Sequence, residues 1–146
     1  MTEVLVDTDI LSFYFKGDSL VVRRFTEYLK EFDQISISII TYYEILGGLS
    51  FKYAEKQIRD FEVFVNNNNI IHLTEESAKI SAGIYSDLRQ RGITIGNTDI
   101  LIAGIAIENG LSLVTNNEKH FEPIKGLILE TGKYRFVLKQ SDQNSR

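Results

Sequence analysis

The sequence predicts an α/β domain, a central parallel sheet with helices on both faces, and three observations carry that expectation. Short runs of β-type residues recur at 4–6, 35–39, 70–73, 111–115 and 127–129. Longer stretches with helical apolar spacing separate them, and such alternation requires crossover connections and therefore parallel strands. The 146 residues contain no internal repeat and no linker, so they fit a single three-layer α/β/α sandwich.

In chain order, Val4-Leu5-Val6 reads as a first strand that ends at the polar trio Asp7-Thr8-Asp9. Ile10, Leu11 and Phe13-Tyr14-Phe15 follow at mixed helical spacing until Gly17 interrupts it. Three adjacent aromatics cannot all face inward from a helix, so at least one is expected at an interface. Asp18 or Ser19 can cap a second helix, with Leu20, Val21, Phe25, Tyr28, Leu29 and Phe32 as its apolar face. Residues 35–39 alternate Ile and Ser and predict a strand. Thr41 is the expected cap of a helix that carries Glu44 and closes at Gly47-Gly48. A further helix covers roughly residues 51–65 and stops at the asparagine run 66–69. After a brief strand at 70–73, Thr74 with Glu75, Glu76 and Ser77 opens a long amphipathic helix ending near Arg91-Gly92. Residues 100–107 are apolar on every side, which predicts a buried helix, closed by Gly110. Residues 111–115 form a strand, 116–118 a polar turn and 127–129 the last core strand. The domain is expected to span residues 1–133, with 134–146 a partly disordered polar tail.

Composition narrows the chemistry. There are no cysteines, which removes disulfides, thiolate nucleophiles and cysteine zinc sites, and with only His72 and His120 a histidine-rich zinc site is not expected. A metal would be held by oxygen, which favours magnesium, manganese or calcium. No stretch approaches the roughly 18 apolar residues of a membrane span. The N-terminus carries no basic segment and no apolar h-region, so a cytoplasmic protein without a secretory signal is expected. The net charge of −4 argues mildly against a nucleic-acid binder. A carboxylate cage contributes several of those charges, however, and a bound cation reverses the local sign.

Sites in parallel sheets form beyond the C-terminal ends of the strands. That rule selects Asp7 after the first strand, Glu44 in the helix after the second, Asp99 at the start of the buried helix, and Asn116 and Asn117 after the strand 111–115. Carboxylates gathered at one edge raise each other's pKa unless a cation compensates. Mg²⁺ or Mn²⁺ would do so and would acidify a water able to attack a phosphodiester in line; two ions roughly 3.5–4 Å apart could divide the attacking and leaving roles.

These segments also resemble a known family. Val4-Leu5-Val6-Asp7-Thr8-Asp9-Ile10-Leu11 resembles the hhhDTxxL opening of PIN-domain nucleases. Thr41-Tyr42-Tyr43-Glu44-Ile45-Leu46-Gly47-Gly48 is similar to their second motif, and Gly96-Asn97-Thr98-Asp99-Ile100-Leu101-Ile102-Ala103 to their third. The run from Leu113 through Thr115-Asn116-Asn117-Glu118-Lys119-His120-Phe121 to Leu127 resembles their closing segment. Size and the closing segment are most similar to the VapC-like toxins of type II toxin–antitoxin systems. The resemblance implies a PIN-like fold and an endoribonuclease acting on structured RNA such as tRNA or rRNA. It also implies a homodimer and a cognate antitoxin. Asp7, Glu44 and Asp99 match the metal-binding acids, and Asn117 falls where aspartate is common, implying a role in positioning water. Thr115 is expected to orient a carboxylate or water. Asp9 stands where Asn or Ser is commoner and either adds charge near the metal or makes a local turn contact.

Plainer readings stand beside these. Asp7 could cap the following helix, Glu44 and Asp99 could be macrodipole contacts, and paired asparagines are ordinary turn formers. His120 reads as a surface or turn residue. Arg89, Arg91, Lys52 and Lys56 could meet phosphates but are not counted as site residues. The Asp7-Thr8-Asp9 trio also resembles the opening of haloacid-dehalogenase-type phosphatases, yet the paired late aspartates of that family are missing. The remaining alternative is a catalytically inactive PIN-like scaffold that binds RNA or protein.

Overall fold

The computed structural model describes residues 2–131. Five parallel strands, β1 (Val4–Val6), β2 (Ser36–Ser38), β3 (Asn69–Ile71), β4 (Ser112–Thr115) and β5 (Leu129–Thr131), lie in the order β3-β2-β1-β4-β5. The helices are α1 (Thr8–Phe15), α2 (Ser19–Tyr28), α3 (Ile39–Phe51), α4 (Glu55–Asn66), α5 (Glu75–Gln90), α6 (Asn97–Glu108) and α7 (Glu118–Phe121). The predicted tail at 134–146 lies outside the described residues.

Strand alternation produces the layers. Successive side chains of a strand point to opposite faces. Leu5 and Leu113 join Leu88, Ile102, Ile105 and Phe121 on one face. Val4, Val6, Ile37 and Val114 join Ile10, Leu11, Val21, Phe25 and Phe61 on the other. The parallel register Val4↔Ser112, Leu5↔Leu113, Val6↔Val114 keeps these two sets in step across the sheet. The apolar run at 100–107 packs as expected, with Ile102, Ala103, Ile105 and Ala106 fully buried.

Several boundaries differ from the sequence expectation. The cap of α3 is Ser38, not Thr41: Ser38 is extended and its Oγ accepts from the Thr41 amide at 3.0 Å. The helix therefore begins two residues before Thr41 and continues through Gly47-Gly48, because Leu46 and Leu49 on either side pack against the core. It ends at Phe51, and α4 starts only after Tyr53 turns the chain at φ +53°. The polar turn expected at 116–118 instead leads into α7. Leu29, expected on the apolar face of α2, is 44% exposed, since the helix has ended one residue earlier. Of the three adjacent aromatics, Tyr14 stacks on Phe25 and Phe15 is the exposed one.

The contact that sets the α5–α6 separation is Gly104. A Cβ there would overlap Ser81 Oγ and stand 2.7 Å from the Ser77 carbonyl oxygen. Ser81 uses that proximity to donate to the Ile100 carbonyl at 3.0 Å. Gly104→Ala is therefore expected to cost about 1–3 kcal/mol by overpacking, read as a lower urea midpoint. A wild-type midpoint would mean that the two helices can move apart freely.

Candidate active site

The chain reverses its direction of winding at β1: β2 and β3 lie on one side, β4 and β5 on the other. Such a switch leaves a crevice at the C-terminal ends of the two adjoining strands, here β1 and β4. Asp7 follows β1 directly and Asn116 follows β4 directly. A tight turn at Gly110, with φ +64°, joins α6 to β4, so the start of α6 with Asp99 lies beside the C-terminal end of β4. Glu44, in the second turn of α3, is supplied from the neighbouring β2 side.

Asp7 is the most enclosed carboxylate of the site, at 6% exposure. It caps α1, with Oδ1 accepting from the Thr8 amide at 2.8 Å, while Oδ2 accepts from the Thr115 hydroxyl at 2.8 Å. The cap on α1 and the contact with Thr115 thus coexist in one residue, and Thr115 orients a carboxylate as expected. Burial, then the neighbouring charge of Asp9, then that of Asp99, push the Asp7 carboxyl up to about 7 against the two hydrogen bonds. Asp9 is also pushed upward, chiefly by burial, although its Oδ1 accepts from the Ile10 amide at 2.7 Å and its Oδ2 from the Asn116 amide at 3.1 Å. Asp9 therefore makes a local contact and places a negative charge beside Asp7. Among the described residues no ion pair involves Asp7, Asp9 or Glu44.

Thr8 links the two halves of the site. Its Oγ1 donates to Glu44 Oε1 at 2.9 Å. Having spent its single proton there, it accepts from Thr41 Oγ1 at 3.0 Å. The Thr8 amide holds Asp7 while its hydroxyl holds Glu44. Asp99 meets His120, whose Nε2 lies 2.7 Å from Oδ2. Sequence reasoning set His120 aside and gave Thr8 no role. The signal for Thr8 was its place beside Asp7, whereas the His120 contact spans 21 residues and has no local signature. Asn117 stands exposed at the rim; its amide donates to Thr115 Oγ1 at 3.1 Å and its side chain makes no capping bond to α7. Arg91 is engaged by Asp87 and the Pro123 carbonyl, and Arg89 lies over the Tyr85 ring.

Among the described residues no three acidic or histidine side chains are closed into a ligand cage. Each carboxylate is turned onto a protein donor. The donor set is nevertheless that of a hard divalent cation: oxygen ligands, excess negative charge and partial burial.

Asp7 keeps its proton to about 7 in the fold but releases it near 3.8 when unfolded, so the folded chain binds more protons between those values. Stability then falls as pH rises from about 4 to about 7 and levels off above. In EDTA, the urea midpoint should decline across that window. Asp7→Asn should remove most of the decline and raise the midpoint at about pH 8. An undiminished decline in the variant would assign it to other groups.

The model of the PIN domain family matches residues 4–126, a span that includes every site residue described above. Ribonuclease VapC1 of Methanocaldococcus jannaschii is 36% identical over 124 residues, which are 85% of this chain and 82% of that protein. The tRNA(fMet)-specific endonuclease VapC of Shigella flexneri is 29% identical over 131 residues, 89% of this chain and 98% of its own length. A crystal structure of VapBC2 from Rickettsia felis, bound to a DNA fragment from its promoter, matches with a TM-score of 0.81 and 30% identity. That match covers 88% of this chain and 97% of that one. With its parallel five-stranded sheet and its acids at the switch point, the chain belongs to the PIN domain family and, within it, stands with the VapC ribonucleases.

Proposed function

We propose that this chain is a Mg²⁺- or Mn²⁺-dependent endoribonuclease, the toxin of a toxin–antitoxin pair, cleaving structured RNA of the tRNA or rRNA kind. The observation that carries this reading is Asp7, a carboxylate buried at the end of the central strand, burdened by two neighbouring acids and paired with no cation among the described residues. Relatives named as ribonucleases, one of them specific for tRNA(fMet), support RNA as the substrate.

Asp7, Glu44 and Asp99 would hold the ion. When bound, it supplies positive charge at the scissile phosphate and acidifies water. The chain's own part is positional: Thr8 and Thr115 hold the carboxylates, and Asn117 at the rim offers an amide to a water or phosphate oxygen. Hydrolysis joins the water oxygen to phosphorus and breaks the bond to O3′, which takes a proton, leaving 5′-phosphate and 3′-hydroxyl ends.

Partners follow from the same reading. The Rickettsia structure is of a VapBC assembly, which supports an antitoxin for this chain. A cleft of about 460 Å³ is lined by Thr8 and Glu44 together with Phe15, Lys16, Lys52 and Phe61, so a segment filling it would touch the site. Phe51 and Tyr53, at the end of α3, are 86% and 88% exposed, a concentration of aromatic surface that supports a protein contact, including a second copy of the chain. No helix among the described residues is long and apolar enough to cross a membrane, and a cytoplasmic setting is proposed with the RNA substrate.

Incubated with total RNA and Mg²⁺ or Mn²⁺, the protein should yield discrete fragments that EDTA abolishes. Asp7→Asn and Asp99→Asn should lose cleavage while retaining wild-type circular dichroism. Cleavage by either variant at the wild-type rate would overturn the site; a folded, inactive wild type that binds no metal would favour the scaffold. In sedimentation at micromolar concentration without antitoxin, a dimer is expected, and a strictly monomeric mass would count against self-association.

A further inference from the structure

His120 belongs to none of the acid motifs, yet it closes a continuous chain of hydrogen bonds between two of the acids. The Thr115 hydroxyl donates to Asp7 Oδ2 and accepts from the Asn117 amide. The Asn117 carbonyl accepts from the His120 amide at 3.1 Å, and the His120 ring meets Asp99 Oδ2 at 2.7 Å. Because an ionised carboxylate only accepts, Nε2–H is the donor. Among the described residues no hydrogen bond engages Asp99 Oδ1, so one oxygen is held and the other left available.

A half-exposed histidine–carboxylate contact is ordinarily worth little, because a mobile side chain surrenders entropy to make it. Here the ring has little freedom to lose. It sits on the short α7, packed edge-on against Phe121 at 5.3 Å, and Phe121 is buried to 1% exposure. The backbone that carries it is tied to Thr115, and Thr115 is tied to Asp7. The spacing of Asp7 and Asp99, one from the central strand and one from α6, is thereby set from a third element.

We infer that His120 is a positioning residue: the segment from Thr115 to His120 braces Asp7 against Asp99, and the His120 Nε2–H fixes the rotamer in which Asp99 offers its free oxygen to a divalent cation. This rests on the active-site reading above. Hydrogen bonds from a neighbouring side chain to a ligating group typically govern 10–100-fold in metal affinity. Glutamine presents an N–H near the position of histidine Nε2, whereas alanine presents nothing.

The test is calorimetric titration of the purified full chain with Mn²⁺ alone, without RNA, for wild type, His120→Ala, His120→Gln and Asp99→Asn, with a thermal melt of each metal-free protein. His120→Ala should bind about 10–100-fold more weakly with an unchanged melt, and His120→Gln should recover most of the loss. Wild-type affinity in His120→Ala, with Asp99→Asn impaired, overturns the inference and leaves the site intact. Equal weakening in the alanine and glutamine variants also overturns it, assigning the effect to packing on Phe121. Unimpaired binding by Asp99→Asn overturns the site reading itself.

Discussion

The structure turns on a conflict at one atom group: the Asp7 carboxylate lies at the end of the central strand, nearly out of water, with like charges beside it. Burial of a carboxyl without a cationic partner opposes folding, and the fold answers with hydrogen bonds from the Thr8 amide and Thr115 hydroxyl. Those donors keep the group oriented but do not cancel its charge, which is why it keeps its proton to about 7. The position is tolerable because the rest of the domain is ordinary. Two well-filled apolar layers flank the sheet, and no buried side-chain polar atom among the described residues lacks a partner.

The same strand that isolates Asp7 also gathers its neighbours. Placing β1 in the middle, with β2 on one side and β4 on the other, brings three separate connections to one edge. Glu44 arrives from one side, and Asn116, Asn117 and His120 from the other. Thr8 and Thr115 act as the small polar parts between them, each using both its donor and its acceptor capacity. Thr8 joins Asp7 to Glu44, and Thr115 joins Asp7 to the Asn117 amide.

Much of this was legible in the sequence because it depends on local pattern. Short β-type runs mark β1, β2 and β4, the all-apolar run at 100–107 marks the buried α6, and the strand-end rule selects Asp7, Glu44 and Asp99. What the pattern hides is long-range geometry. Thr41 and Ser38 are both acceptable caps three residues apart, and only the observed turn decides for Ser38. Gly47-Gly48 looks like a helix stop, yet packing of Leu46 and Leu49 carries the helix across it. His120 pairs with a carboxylate on another helix, a contact no sequence window contains. The legible part is what each segment prefers by itself; the illegible part is which segments come to face each other.

The acidic balance of the chain then acquires a physical role under the proposed function. A polyanion approaching a site where, among the described residues, Asp7, Asp9 and Glu44 have no ion-paired cation is repelled, and the repulsion strengthens as Asp7 ionises through about 7. A divalent ion removes that barrier and supplies the attraction at the same place, so occupancy by cation and by phosphate favour one another. Lysines ion-paired to the acids would hold RNA without the ion and weaken its binding, since they would already compensate the acids; Lys16 and Lys52 line the same cleft as Glu44 without pairing to it. Under the proposed function, the absence of any ion pair to Asp7, Asp9 or Glu44 among the described residues leaves their charge for the ion to compensate.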